Sequence, residues 1–337
     1  MSAARFRVAF AGPLVTVQDV GRRGQKRFGV PCSGPMDRLA CAAGRAVLDL
    51  PDTAAGIEIS MGGLVLECTE GATTLAVTGG DFSVTLDGAA LDSWNVLSIE
   101  AGQSLSIRPG ASGSWAYLHF AGLFQADNWL GSVATHSASG FGGGAVVTGQ
   151  GLTVEAARVD PAREGTFSPP VYPGAPNEAR VVMGPQDRHF HADALATFQQ
   201  ENYALTDAYD RMGVRLAGSE LALNGALSIP SEPVLRGSVQ VAGDGVPTVL
   251  LADHQTTGGY PKIATVIGPD QDRLAQLRAR DTVRFVSISP EEAVVAARQA
   301  AAQAGVYLDA LRIPRGTFSE RLLKTNLISG AVSAAEE

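Results

Sequence analysis

Short strand-like runs, cut every few residues by glycine, proline or aspartate, restrict this chain to a β-rich fold. Ile57–Cys68, Thr74–Thr78, Phe82–Leu86, Val96–Glu100, Leu105–Arg108 and Trp115–Phe120 alternate in polarity or run apolar between such breaks. The same texture returns at Arg180–Met183, Met212–Leu216, Val234–Val241, Thr248–Ala252, Ile263–Ile267 and Thr282–Ile288. Strands at this spacing suit barrels or sandwiches, and the 39 Gly and 18 Pro supply the turns. Helices are fewer. One is expected through Met36–Leu50, where Leu39, Ala43, Val47 and Leu50 share a face and Ser33 or Asp37 can serve its N-terminal end. Others are expected near Ala192–Gln200, Gln271–Ala279 and Glu291–Ala302.

At 337 residues the chain is about twice the size of a typical single-core domain. Two halves are therefore expected, and the Pro-rich stretch Pro169–Pro176 marks their junction. A faint internal repeat agrees. Gly12-Pro13 returns as Gly184-Pro185, 172 residues on, and Asp37-Arg38 returns as Asp210-Arg211, 173 residues on. Ile57-Glu58-Ile59 and Leu227-Ser228-Ile229 follow in the same order. The expected division is a first β-barrel subdomain at 1–170, a second at 171–290, and a C-terminal helix and tail at 291–337.

A net charge of −8 argues against nucleic acid or an anionic membrane as the main partner. The three cysteines, Cys32, Cys41 and Cys68, form no C-x-x-C pair and fit reduced thiols in a cytoplasm. No secretory-type apolar core follows Met1, and no run reaches the roughly 18 apolar residues of a membrane helix. A cytoplasmic protein is expected. Basic residues are unevenly chosen: 23 are Arg and three are Lys, namely Lys26, Lys262 and Lys324. A compact amine is not interchangeable with a guanidinium, so a lysine kept against this bias draws notice.

Three clusters carry residues suited to chemistry. The first runs Gln18-Asp19-Val20-Gly21-Arg22, then Ser33-Gly34-Pro35-Met36-Asp37, where a strand end, a Gly-rich loop and a helix start suit an anion. Its plain reading is turns and a helix cap. The second, Asp210-Arg211-Met212-Gly213-Val214-Arg215, sets two arginines where they can fork onto a carboxylate or phosphate, or onto Asp210. The third is the most specific: Asp253-His254-Gln255-Thr256-Thr257-Gly258-Gly259-Tyr260-Pro261-Lys262, a polar loop between two apolar runs. Its glycines let a backbone approach a ligand, and its hydroxyls and Lys262 can hold an anionic or amide oxygen. It is not a nucleotide P-loop, since no G-x-x-x-x-G-K-[ST] occurs. His189 and His191 alternate near Asp193, but such pairs are usually ordinary surface or core histidines, and no metal site is expected. No G-x-S-x-G elbow is present, and Cys32 has no histidine set to activate it.

Read together, VQDVGRRG, GVPCSGPMDRLA, IEISMGGLVLE, RVVMGPQDRHF, DRMGVRLAG, GSVQV and LADHQTTGGYPKIATVI resemble the carboxyltransferase domain, subdomain A and B family. That family includes the C subunit of 5-oxoprolinase, allophanate hydrolase subunit 2, the carboxyltransferase region of urea carboxylase, and an antagonist of a sporulation-kinase inhibitor. The resemblance covers about residues 6 to 290. It implies a mainly β fold of two tandem cyclophilin-like β-barrel subdomains with a few short helices and a cleft between them. It further implies that the matching residues line that cleft. Lys262, Asp37 and Arg211 are then the candidates for chemistry, and Gln18, Asp19, Arg22, Ser33, Met36, Asp210, Gln255, Thr257, Gly258, Gly259 and Tyr260 the candidates for binding substrate. Two stretches depart from the usual pattern, Ala242-Gly243-Asp244-Gly245 and Val133-Ala134-Thr135-His136.

Three functions follow from the resemblance. The first is a subunit of an ATP-dependent amide hydrolase that opens 5-oxoproline to glutamate, with ATP bound together with a partner subunit. The second is a biotin-dependent carboxyltransferase or allophanate hydrolase subunit 2 acting in urea breakdown. This chain has no Met-Lys-Met biotin-carrier motif of its own. The third is a non-catalytic antagonist of a kinase inhibitor. The expected partners are an allophanate hydrolase subunit 1-like chain, a lactam-utilisation-type chain and a small-molecule amide.

Overall fold

The computed structural model describes residues 2–225, 228–316 and 319–320. Leu227 of the internal repeat, and residues 321–337 of the expected tail with Lys324, lie outside the described residues. The fold is mainly β. The first half is an 11-stranded antiparallel sheet built around two long strands, Ala72–Leu86 and Ser104–Phe120. Each was expected as two short strands. Gly79-Gly80 and the Gly110–Gly113 stretch bend these strands and shift their register instead of ending them. Chain packs on chain at that bend: a Cβ on Gly79 would meet the Trp115 carbonyl oxygen at 2.4 Å. Conversely, the expected strand Ile57–Cys68 is two strands, Gly56–Ser60 and Leu64–Glu70, because Gly62 turns tightly against Gly12 and Pro13.

The second half closes. Its strands run around a barrel in the order Glu178–Met183, Lys262–Val266, Ser238–Val241, Pro247–Leu250, Gly213–Ala217, Asn202–Tyr209 and Thr282–Ser287, and the last pairs in parallel with the first. Closure removes the sheet edges that an open sheet must protect.

Among the described residues, four α-helices of nine or more residues lie outside these sheets. α1 (Arg38–Val47) starts where Asp37 accepts from the Ala40 amide at 2.9 Å, as expected of its cap. α2 (Ala192–Gln200) lays Phe198 on the barrel residue Phe285, ring centroids 4.6 Å apart. α3 (Gly268–Gln276) begins with Pro269 in its first turn. α4 (Pro290–Arg312) opens on a capping box between Ser289 and Glu292 and runs well past the expected Ala302, since no proline interrupts it before Pro314. Its last turn returns to the first half, where Arg312 meets Asp52 at 2.7 Å.

One core cluster spans both halves, beside a core that belongs to the first half alone. Met36, Ala40, Cys41, Trp94, Trp115 and Tyr117 of the first pack into the same cluster as the barrel residues Val239, Val249, Ile263 and Phe285. Polar ties cross the same junction. Gln276 accepts from the Ser114 and Trp115 amides, Trp115 Nε1 donates to Tyr209, and Arg38 meets Asp272 at 2.7 Å.

Candidate functional site

The polar loop of the second half is built on a buried ion cluster. Arg211 forks onto Asp253 at 3.0 and 2.9 Å, bonds Glu58 of the first half, and donates to the Gly34 carbonyl at 2.7 Å. Burial alone would pull the Arg211 pKa down. The carboxylates of Glu58 and Asp253 reverse that and hold it above its ordinary value. Asp253 also accepts from the Ser137 amide and hydroxyl. The strand Pro247–Leu250 therefore delivers the chain to an anchored start. The loop next adds a short pairing of Thr257–Gly258 with Glu232–Pro233, then passes Pro261 into the strand Lys262–Val266.

Lys262 is the first residue of that strand and lies directly across from Gln240. Its side chain is 4% exposed, and its ammonium stands 3.7 Å from Glu232 Oε2. That is an ion-pair distance without a hydrogen bond. Among the described residues neither Lys262 Nζ nor Gln240 Nε2 has an acceptor. The surrounding amides are in use. Gln186 accepts from the Lys262 backbone at 2.9 Å and donates to Glu232, while Gln255 donates to Gln240 Oε1 at 3.2 Å. A Cβ on Gly258 would meet Gln240 Nε2 at 2.6 Å, so glycine there makes room for that amide. Buried donors without acceptors are costly, and a pair of them on facing strands suits a ligand oxygen. Gln240, Gln255, Tyr260, Met212, Arg215 and Leu250 line a cavity of about 530 Å³ alongside.

Of the other expected binding residues in this half, Asp210 and Tyr260 line the cavity. Asp210 also turns the chain by accepting from the Met212 amide at 2.7 Å. Thr257 is exposed, and Gly259 is partly buried in the loop. Arg211 needs correcting as a candidate for chemistry. It is fully buried, and its guanidinium is committed to Glu58, Asp253 and Gly34.

The first-half cluster folds onto its own chain. Asp19 accepts from the Gly21 amide, the Ser132 hydroxyl and the Val133 amide. Arg22 donates to the Trp129 and Ala134 carbonyls and lies 4.6 Å from the Trp129 ring centroid. Gln18 donates to Thr16 Oγ1 and the Thr135 carbonyl. Met36 is fully buried, and its amide donates to Glu58 at 2.7 Å. Ser33 holds a left-handed backbone, φ 53°. Gln18, Asp19 and Arg22 pin their segment to the loop 129–135. Gly34 accepts from Arg211, and Pro35 and Met36 from Arg236, of the second half. The expectation that the first-half cluster and Lys262 line a single cleft is corrected to this extent.

Asp37 stands on a different wall. It lines a cleft of about 1020 Å³ between the halves, where Tyr172 and Gln276 both donate to its Oδ2 at 2.6 and 2.9 Å. Burial, and then Asp272, raise its pKa to about 6. The helix start that suited an anion is thus filled by the Asp37 carboxylate.

Sequence reasoning missed Gln186, Glu232 and Gln240, and named His254 only as a member of the loop motif. Gln240 sat in view inside GSVQV, but only its register against Lys262 shows its use. Glu232 lies about 30 residues before Lys262, in a stretch with no periodic signal. Among the described residues no group of three or more His, Cys, Asp or Glu is placed to hold a metal ion. No helix among them is long and apolar enough to cross a membrane.

Residues 28–287 match the family described as carboxyltransferase domain, subdomain A and B. The chain is 32% identical to the C subunit of 5-oxoprolinase from Haemophilus influenzae over 88% of this chain and 94% of that one. With the corresponding Escherichia coli protein the identity is 33%, over 85% and 92%. It is 27% identical to the urea amidolyase of Saccharomyces cerevisiae over 84% of this chain, but spans 17% of that protein. Among solved structures, the protein TTHA0988 matches with a TM-score of 0.75 and 29% identity over 84% of this chain and 55% of that one. The Kluyveromyces lactis urea carboxylase shares the fold, with a TM-score of 0.80 at 23% identity over 93% of this chain and 30% of that one.

Proposed function

Since the chain belongs to the carboxyltransferase domain, subdomain A and B family, we propose that it is the C subunit of an ATP-dependent 5-oxoprolinase, holding the lactam that the assembled enzyme opens to glutamate. The observation that carries this reading is the Lys262 ammonium, buried and without an acceptor, beside the equally unpaired Gln240 amide. The likeness in length supports it: the chain spans 92–94% of the two 5-oxoprolinase relatives and a minor part of urea amidolyase.

An unactivated lactam resists water because its carbonyl is stabilised by the ring nitrogen. Two preorganised donors at the carbonyl oxygen balance the negative charge that grows there as water adds, and a dry site strengthens that balance. Glu232 stands 3.7 Å from the ammonium as its ion-pair partner, and Gln186 holds Glu232. ATP would supply the remaining activation. Its γ-phosphoryl group passes to the amide oxygen as ADP leaves, and water adds to the carbon. The ring C–N bond then breaks, and the resulting acyl phosphate is hydrolysed to glutamate and phosphate. ATP is assigned to the junction with partner subunits. The enzyme is expected to need an allophanate hydrolase subunit 1-like chain and a lactam-utilisation-type chain.

The fold shared with urea carboxylase favours one second reading. The same donors would polarise the ureido oxygen of carboxybiotin carried by another chain. The test is turnover by the chain reconstituted with its partner subunits. Glutamate released from 5-oxoproline in step with ATP hydrolysis, and lost in Lys262→Met, supports the proposal. Biotin- and bicarbonate-dependent turnover of urea by the same complex would overturn it.

A further inference from the structure

His254 belongs to the most specific motif of the sequence and is not itself one of the two donors, Lys262 and Gln240. It is 2% exposed. Its Nδ1 lies 2.6 Å from the Gln255 carbonyl oxygen, and its Nε2 lies 3.1 Å from Lys26 Nζ. A carbonyl oxygen only accepts and an ammonium only donates. One protonation state satisfies both contacts: a neutral ring with hydrogen on Nδ1 and a lone pair on Nε2. The groups facing the ring are Lys26 from the first half and Arg236 and Asp253 from the second. Burial leads and the two cations add to it, while the Gln255 carbonyl and Asp253 oppose, and the pKa falls to about 4.

Lys26 comes from far away in sequence. It opens a short 3-10 turn, Lys26–Phe28, between Gly24 and Gly29, both left-handed with open space where a Cβ would stand. The Gln255 carbonyl held by His254 belongs to the residue whose side chain holds Gln240. The path therefore runs from Lys26 through His254 and Gln255 to the unpaired Gln240 amide.

We propose that His254 is a positioning residue: neutral and protonated on Nδ1, it fixes Gln255 and thereby aims the Gln240 amide, and Lys26 of the first half locks that tautomer. The proposal rests on the reading that Lys262 and Gln240 hold the substrate oxygen. It also accounts for a second lysine in an arginine-biased chain. A compact ammonium meets a single ring nitrogen, whereas a guanidinium is built to fork. An acidic residue at position 26 would instead call for hydrogen on Nε2.

The test joins ring-nitrogen NMR with kinetics on the reconstituted complex. At pH 7 the wild-type His254 ring should show hydrogen on Nδ1. In Lys26→Met its titration should move up toward the ordinary histidine range, carrying the acid limb of kcat/KM for 5-oxoproline with it. His254→Leu should lower kcat/KM by about 100-fold, mainly through KM, since loss of orientation on this scale has that effect. His254→Asn, whose amide can donate from the Nδ1 position, should recover most of the loss. Hydrogen on Nε2 in the wild type would overturn the proposal. So would His254→Leu and Lys26→Met with unchanged KM and pH profile while Lys262→Met is dead, an outcome that leaves the substrate site standing. Full activity in Lys262→Met would instead remove the site reading itself.

Discussion

Arg211 shows how far a residue's role can lie from its local sequence. Its partner Glu58 stands 153 positions away, so no spacing rule reveals the triad Glu58–Arg211–Asp253, while Asp-Arg-x-x-x-Arg reads naturally as an anion site. Removing the cation leaves two carboxylates buried and uncompensated. Arg211→Ala is therefore expected to lower stability by about 3–5 kcal/mol. Arg211→Lys should recover only part, because a point charge cannot fork onto Asp253. Chemical denaturation of both variants checks this, and loss of under about 1 kcal/mol in the alanine variant would contradict it. Lys262, by contrast, was a candidate from the sequence alone, because it stands out against the arginine bias and closes the most polar loop. Its acceptor-less state was not legible there, since that depends on Gln186, Glu232 and Gln240.

Two buried groups give opposite pH dependences. The His254 pKa in the fold, about 4, lies below its ordinary 6.5. Its contribution is present above 6.5 and is lost as pH falls toward 4. Asp37 is raised from 3.8 to about 6, so its contribution is present below 3.8 and is lost as pH rises through 6. Melts between pH 4 and 7 should show a smaller acid loss in His254→Asn than in the wild type. Identical curves would contradict the assignment.

At the scale of elements, the helices followed from local signals. Asp37 caps α1 as its position suggested, and α2 spans the expected Ala192–Gln200. The long strands did not follow, because Gly79-Gly80 and Gly110–Gly113 look like turns in sequence. They act as bends only because a neighbouring strand packs against them. α1 carries a sharper test. Gly44 faces the fully buried His119 ring, and a Cβ there would stand 2.5 Å from Nδ1; on the strand Gly56–Ser60, an added Cβ on Gly56 would stand 2.6 Å from Nε2. The ring sits between two glycines that leave it room. Gly44→Ala should therefore destabilise by about 1–3 kcal/mol through overpacking, although alanine favours helix over glycine by about 1 kcal/mol. A thermal melt showing stabilisation would mean the ring relaxes freely.

At the scale of the molecule, the two halves are expected to fold as one unit. Met36, Trp115 and Tyr117 lie in the barrel's core cluster, Arg211 bonds across the junction, and α4 brings Arg312 back to the first half. Residues 1–170 produced alone are expected to expose that apolar face and aggregate, and the whole chain to melt in one transition with matching calorimetric and van't Hoff enthalpies. Two separated transitions would show that the halves are independent. The Pro-rich stretch Pro169–Pro176 suggested a junction in the sequence. The core cluster shared across the halves was not legible there, because the residues on each side of it look like the interior of their own half.

The central claim is that a lysine ammonium, and not positive charge alone, serves the amide oxygen. The most direct measurement is ATP-dependent glutamate release from 5-oxoproline by the reconstituted complex carrying Lys262→Arg. Loss of a single transition-state contact of this kind costs about 10²–10³ in rate, and a drop of that size with an unchanged melting temperature is the predicted result. Turnover within about twofold of the wild type would contradict the account and leave Lys262 a structural partner of Glu232.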